Sequence, residues 1–254
     1  MIHLSVAIAT FNEEDKIADC LKSVYGWADE IVLVDGTSSD KTVEIAKKYK
    51  AKVSVVANNP MFHINKQIAI DQCVGDWILQ LDADEVVSLE LKKEIMKIIQ
   101  DSKSNGYWIP RKNFFLGRFL MKGGQYPNFI LRLFRNGKGR LPCKSVHEQI
   151  IVSGSVGYLS SPLLHFSYPN FEHYIEHFNR YTDILADEIG IEAKNGKSPK
   201  LVDFLFLKPS FWFLKTYVRH KGLLDGVPGF IFSVSSAFRF PIAYSKWWER
   251  DGKK

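Results

Sequence analysis

The first hundred residues alternate between two periodicities, and this constrains the chain more than any other feature. Short, nearly unbroken apolar runs occur at LSVAIAT (4–10), EIVLVD (30–35), KVSVV (52–56) and WILQL (77–81). Between them lie stretches of helical spacing. In NEEDKIADCLKSVYGW (12–27), Ile17, Cys20, Leu21 and Val24 share one side, with Asn12 as a cap and acids in the first turn. SDKTVEIAKKY (39–49), INKQIAIDQC (64–73) and the Ser88-capped LELKKEIMKII (89–99) continue the pattern. Strands apolar on both faces need helices over both faces, so the expected fold is α/β, a mostly parallel sheet flanked by helices. Ligands of such sheets bind beyond the carboxyl ends of the strands, where Thr10, Asp35 and Asp82 all stand.

From about residue 106 the pattern changes. GYWIPRKNFFLG, NFILRLFRNGKGR and EQIIVSGSVGYL predict strands joined by Gly-rich turns, and NFEHYIEHFNRYTDILADEIG (170–190) predicts a long helix. KNGKSPK (194–200) has the composition of a linker. The expected organisation is one domain over 1–193, split into a nucleotide-binding half (1–100) and an acceptor-side half (101–193). A C-terminal extension, 194–254, follows.

That extension is aromatic and basic together. It holds 12 Lys and Arg against 4 Asp and Glu, a net of +8; the whole chain is +6, so residues 1–193 carry −2. Its longest uncharged run, Gly226 to Phe238, is 13 residues, short of the roughly 20 that span a bilayer. Basic segments rich in Phe, Trp and Tyr suit the headgroup region of a membrane; the alternative is packing on the preceding domain or on another subunit. Charges interleaved with bulky aliphatics, instead of a uniform basic stripe, argue against a nucleic-acid partner. MIHLSVAIATFNEEDK reads as a first strand and not a signal peptide. Cys20, Cys73 and Cys143 show no metal-ligand spacing and read as free thiols of a reducing cytoplasm, the first two on core faces of helices.

Three carboxylates crowd the end of the fourth apolar run, ILQLDADEVVS (78–88). Residues i and i+2 of a strand point to one side, so Asp82 and Asp84 can aim at a common point. Two carboxylates beside substrate phosphates suit Mg²⁺ or Mn²⁺, which share their coordination with phosphate oxygens. The plainer reading is an acidic turn before the helix at Ser88. TFNEE (10–14) and VDGTSSDKT (34–42) sit at the first two strand ends. A carboxylate leaving a strand, followed by Gly and hydroxyl residues, can hydrogen-bond a base or ribose while the backbone comes close.

Taken together, ATFNEE, VDGTSSDKT and WILQLDADE, in this order and spacing, resemble family 2 glycosyltransferases of the GT-A fold. LRLFRNGKGRLPCKSVHEQI, NFEHYIEHFNRYTDILADE and LKTYVRHKGLLDGVPGFIFSVSSAF are similar to the subgroup of lipopolysaccharide-core β-glucosyltransferases. The resemblance implies an inverting, metal-dependent transfer of one sugar from a nucleotide-diphosphate donor, UDP-glucose-like, to a lipid-linked glycan. It places the enzyme in the cytoplasm, peripheral to the inner membrane. It implies that Thr10, Asn12, Glu14 and Asp35 line the nucleoside pocket, that Lys66 contacts the nucleotide, and that Asp82 meets ribose or Mg²⁺/Mn²⁺ while Asp84 coordinates the metal. The common VDSGSTD motif is here VDGTSSD, with Gly36 one place early.

An inverting transfer needs a base within reach of the acceptor hydroxyl. SVHEQI offers His147 and Glu148; the resemblance favours Glu148 as base, with His147 binding metal or diphosphate or holding the base. Arg132 and Arg135 fall on opposite faces of a regular strand, so one should reach the cleft and grip phosphate, and Arg111 is a further candidate. His165 and His173 are assigned to packing or capping. Trp108 can stack on a pyranose. Competing functions are transfer to a protein or peptide side chain from the same donor site, and a non-enzymatic membrane scaffold.

Overall fold

The computed structural model describes residues 2–144, 148–168 and 170–252. Two compact units result, Met1–Arg111 with Asn128–His165, and Lys112–Pro127 with Phe166–Lys254. The second unit takes in Lys112–Pro127 and the long helix beyond 170, which packs with the C-terminal helices.

The first unit begins with β1 (Leu4–Thr10), α1 (Ile17–Val24), β2 (Glu30–Asp35), α2 (Thr42–Lys48), β3 (Lys52–Val55), α3 (His63–Asp71) and β4 (Trp77–Asp82). β5 (Glu85–Val87), α4 (Leu89–Ile98), β6 (Gly106–Phe115) and β8 (Asn128–Arg135) follow, with β7 (Arg118–Phe119) in the second unit. Four short strands close the series: β9 (Gly139–Arg140), β10 (Ile151–Val152), β11 (Val156–Tyr158) and β12 (Leu163–His165). The strands run β3-β2-β1-β4-β8-β6-β12-β5. The first four are mutually parallel, and β8 lies antiparallel to β4. The fold class is the one expected, an α/β mostly parallel sheet flanked by helices.

β2 is buried at all six positions because both its faces are covered. On one side Val6 and Ile8 meet Ile17, Cys20 and Leu21 of α1 and Leu91 and Ile95 of α4. On the other, Ala7, Val32, Val34 and Ile78 meet Ala69 and Ile70 of α3. The chain order reverses between β1 and β4, the point where an open sheet leaves a crevice at its carboxyl edge. Register sets Thr10 opposite Asp35 and Ala9 opposite Asp82, so the three expected polar ends form one row.

Local signals hold at some ends and not at others. The Ser88 Oγ accepts from Leu91 N at 3.1 Å, as expected of a cap. Asn12 does not cap α1: the helix starts five residues later, and Asn12 sits in a left-handed turn (φ 53°). Cys20 is buried on α1, whereas Cys73 is buried just past the end of α3. EQIIVSGSVGYL yields only the short β10 and β11.

In the second unit α5 (Phe171–Lys194) is capped by Asn170, whose Oδ1 accepts from His173 N at 2.8 Å. Beyond it come a π-helical segment, Asp203–Leu207, then α6 (Lys208–Phe213), a second π segment, Leu214–Arg219, and α7 (Gly226–Trp247). Ala186 and Ile189 of α5 share a core with Phe204 and with Phe240, Ala243, Tyr244 and Trp247. Lys246 and Arg250 reach back to Asp183, and Asp225, buried, accepts from Lys122 N at 2.7 Å and from Arg118. Among the described residues no helix is long and apolar enough to cross a membrane.

Candidate active site

The acidic row at the end of β4 is paired, not free. Asp82 accepts from Lys66 on Oδ1 and from Arg132 Nη2 on Oδ2 at 2.6 Å, with Gln80 Nε2 adding a bond to Oδ1 at 3.1 Å. Burial alone would raise its pKa, but Arg132 and Lys66 outweigh burial and hold the carboxyl well below the ordinary aspartate range. Glu85 is fully buried and joins the cluster from below. Its Oε1 receives Arg132 at 2.9 Å and Arg111 at 3.3 Å, and its Oε2 accepts Asp82's own backbone N–H at 3.0 Å. Arg132 also donates to Gln80 Oε1. Burial opposes its charge, yet Asp82 and Glu85 raise its pKa above the ordinary arginine value. The Nε atoms of Arg111 and Arg132 are buried without a hydrogen-bond partner.

Two clefts flank the Lys66–Asp82 pair and share Phe62 as well. One, about 270 Å³, is lined by Thr10, Glu13, Asn58, Asp84 and His165 among others. The second, about 250 Å³, is lined by Gln80, Arg111, Arg132 and Glu148. In the first, Asp84 Oδ2 stands 3.3 Å from His165 Nε2; that bond outweighs burial and lowers the Asp84 pKa. His165, expected in packing or capping, lines this cleft: pairing of β12 with β5 sets it opposite Glu85, beside Asp84. His173 stays on α5, its ring against Tyr168 and His177.

Several expected residues stand elsewhere. Arg135 is opposite Trp77, at the amino end of β4, where its Nη2 donates to Ser102 O and the guanidinium lies over the Trp77 ring. Of the two alternating arginines, Arg132 is the one that faces the cleft. Asn12 and Glu14 line neither cleft. Asn12 Oδ1 accepts from Ser39 N at 2.9 Å and Glu14 Oε2 from Lys41 N at 3.0 Å, tying the β1–α1 loop to the β2–α2 loop. Asp35 is buried and accepts from Thr10 Oγ1 at 3.1 Å and from Ser38 N and Oγ at 2.8 and 2.6 Å, so it orients a cleft residue without lining the cleft. His147 lies outside the described residues. Glu13 lay unmarked between two expected residues. Burial, with Asp84 and Asp82 adding, pushes its pKa up against the Lys16 ammonium at 3.5 Å.

Among the described residues no group of three or more His, Cys, Asp or Glu is arranged to hold a metal. Asp82 gives both oxygens to cations. What the first cleft does offer is the Asp84 carboxylate and the His165 imidazole, a hard-oxygen and nitrogen pair that fits Mn²⁺ or Mg²⁺ sharing its shell with phosphate oxygens.

The sequence matches the model for glycosyl transferase family 2 over residues 5–163. The chain belongs to this family. As a family 2 glycosyltransferase it is 29% identical to the lipopolysaccharide core biosynthesis glycosyltransferase LpsC of Rhizobium meliloti, over 99% of this chain and 94% of that one. It is 30% identical to an uncharacterized glycosyltransferase of Rickettsia typhi, covering 94% and 84%. Two solved structures share the GT-A fold at low identity. Staphylococcus aureus TarS 1–349 in complex with UDP has a TM-score of 0.51 at 16% identity, covering 99% of this chain and 92% of that one. The mannosyltransferase PcManGT from Pyrobaculum calidifontis, in complex with GDP-Man and Mn²⁺, has a TM-score of 0.54 at 12% identity, covering 98% and 88%. This family 2 enzyme is thus a transferase by sequence and a GT-A protein by fold.

Proposed function

We propose that the enzyme transfers one sugar, with inversion, from a nucleoside-diphosphate donor of the UDP-glucose kind to a lipid-linked glycan such as a lipopolysaccharide core. One observation carries this reading. Asp82, gripped by Lys66 and Arg132, divides a cleft bearing Asp84 and His165 from a cleft bearing Glu148. That is a charge-paired wall between a metal-capable side and a base-capable side. The likeness to LpsC supports the acceptor class.

In this reading Thr10, oriented by Asp35, contacts the nucleoside, and Lys66, Arg111 and Arg132 offer positive charge to the diphosphate. Asp84 and His165 would hold Mg²⁺ or Mn²⁺, which supplies Lewis-acid neutralisation of the leaving group. Glu148 takes the proton of the acceptor hydroxyl. Its two oxygens accept from Lys144 N at 3.1 and 3.0 Å, which holds the carboxylate at the rim of the second cleft. A third cavity of about 450 Å³ also holds Glu148 and is walled by Trp108, Ile150 and Val156. Trp108 stacks with Tyr158 at 6.4 Å, an aromatic surface suited to the acceptor sugar.

Donor-screened hydrolysis tests the reading: the purified chain is incubated with UDP-, GDP- and ADP-sugars, with Mn²⁺ or with EDTA. Slow, metal-dependent release of UDP is expected. No cleavage of any donor, with no nucleotide-dependent rise in Tm, would sink it.

A further inference from the structure

The helical run from Asp203 to Arg219 is apolar on more than the side it buries. Phe204 packs on Tyr244 (ring centroids 5.6 Å) and Trp212 on Phe240 (6.1 Å), with Thr216 buried alongside. Away from those contacts Phe206, Leu207, Phe211, Leu214 and Val218 recur at roughly helical spacing, each 53 to 62% exposed. Leu223, Leu224 and Val227 continue the patch at 46 to 70%. A helix apolar all round belongs in a core or in lipid. An exposed patch of this extent marks an interaction surface.

Charge selects the partner. From Phe204 to Leu224 there is no acidic residue, while Lys208, Lys215, Arg219 and Lys221 give +4. Lys208 Nζ lies 3.4 Å from the Phe204 ring centroid and Lys215 Nζ 4.3 Å from that of Trp212. Both ammonium groups rest on aromatic rings of the same helical run, so the positive charge is carried by the run that bears the exposed apolar side chains. We propose that this face lies in the headgroup layer of a membrane containing anionic lipid, with Phe206, Phe211 and Leu214 as its apolar anchors. The purpose, though not the geometry, rests on the lipid-linked acceptor proposed above. A second copy on the same face would set +4 against +4 across a two-fold contact, which opposes self-association. The face lies on the membrane and does not span it, since no described helix is long and apolar enough to cross.

Co-sedimentation of the full chain with phosphatidylcholine vesicles, with and without phosphatidylglycerol, tests this. Binding to the anionic vesicles is expected, weakening with salt. Phe206→Ser with Phe211→Ser and Leu214→Ser should lower the partition coefficient by about tenfold or more, with the circular dichroism and Tm unchanged because all three side chains are exposed. Lys208→Gln with Lys215→Gln should give a loss of about tenfold confined to anionic vesicles, and it serves if the triple variant fails to fold. Wild type that stays in the supernatant, or variants that sediment like wild type, would overturn the proposal. So would a triple variant that only converts a dimer to a monomer by light scattering, which would assign the face to a second copy. Slow donor hydrolysis needs no bilayer: its absence beside intact vesicle binding would end the enzymatic reading and leave this face standing.

Discussion

Asp84 Oδ2 and His165 Nε2 stand 3.3 Å apart, although Asp84 lies in the turn between β4 and β5 and His165 ends β12, far along the chain. Three-residue strands β5 and β12 bring them together through one register, Leu163 opposite Val87 and His165 opposite Glu85. The pair gives the first cleft its only recorded carboxylate–imidazole contact among the described residues. Asp84→Ala should therefore abolish transfer and remove the part of UDP-induced stabilisation that depends on Mn²⁺, while the apo Tm moves little. Thermal shift with and without EDTA checks this; unchanged metal-dependent stabilisation would refute the ligand role.

Glu148→Gln should separate chemistry from binding. Losing a general base lowers kcat by about 10²–10⁴-fold, with UDP affinity by calorimetry changing far less, although Glu148 shares the second cleft with Lys66, Arg111 and Arg132. An equal loss of UDP affinity would reassign Glu148 to the donor.

Arg132→Met should be costly to the fold as well as to activity. It leaves Asp82 and the buried Glu85 with one fewer cation, and breaking a buried ion pair costs about 3–5 kcal/mol. A lower urea midpoint at unchanged m-value is the expected signature. Arg132→Lys should recover only part, since an ammonium cannot reproduce a fork that meets Gln80, Asp82 and Glu85 together.

Thr37 is a β-branched residue in the left-handed region, φ 65°, at the place where the common motif has its glycine. Relief of about 1–2 kcal/mol of backbone strain exceeds the entropic cost of glycine, about 0.5–1 kcal/mol. Thr37→Gly should thus stabilise by roughly 0.5–1 kcal/mol. Chemical denaturation decides the sign, and a loss of stability would refute the strain.

Glu94 predicts a pH dependence away from the site. Burial raises its pKa, but the N–H groups of Ser160 and Ser161 at 2.9 and 2.8 Å, with both hydroxyls, outweigh burial and hold it below 4.5. A depressed carboxyl stabilises the fold above its unfolded pKa, and that contribution fades as pH falls from about 4.5 through the folded value. Glu94→Gln should cost about 1 kcal/mol at neutral pH, allowing for partial exposure, and the gap should close in acid. A constant difference between pH 7 and pH 3 would contradict the assignment.

What could be read from the sequence follows from what local pattern encodes. Thr10, Asp35 and Asp82 were visible because apolar runs end there, and Arg132 and Arg135 were visible as an alternating pair. Which of the two enters the cleft is set by β8 pairing, Leu133 opposite Leu79, and no local signal carries that. His165 depended on the meeting of two very short strands. The pocket roles of Asn12 and Glu14 come from the resemblance alone; polarity at a strand end looks alike whether it serves a ligand or a neighbouring loop. Glu85 is one of three carboxylates crowded in the sequence, and its burial as the post to which two arginines are tied comes from strand pairing that no local pattern carries.

That post has a consequence for how the enzyme answers its surroundings. Glu13, Asp82, Asp84, Glu85 and Glu148 outnumber Lys66, Arg111 and Arg132 at the two clefts, so the vestibule holds no surplus positive charge before any donor arrives. A pyrophosphate group entering it gains little from long-range attraction and must bring compensation with it. Nucleotide affinity should therefore track the free concentration of divalent ions much more steeply than it tracks ionic strength.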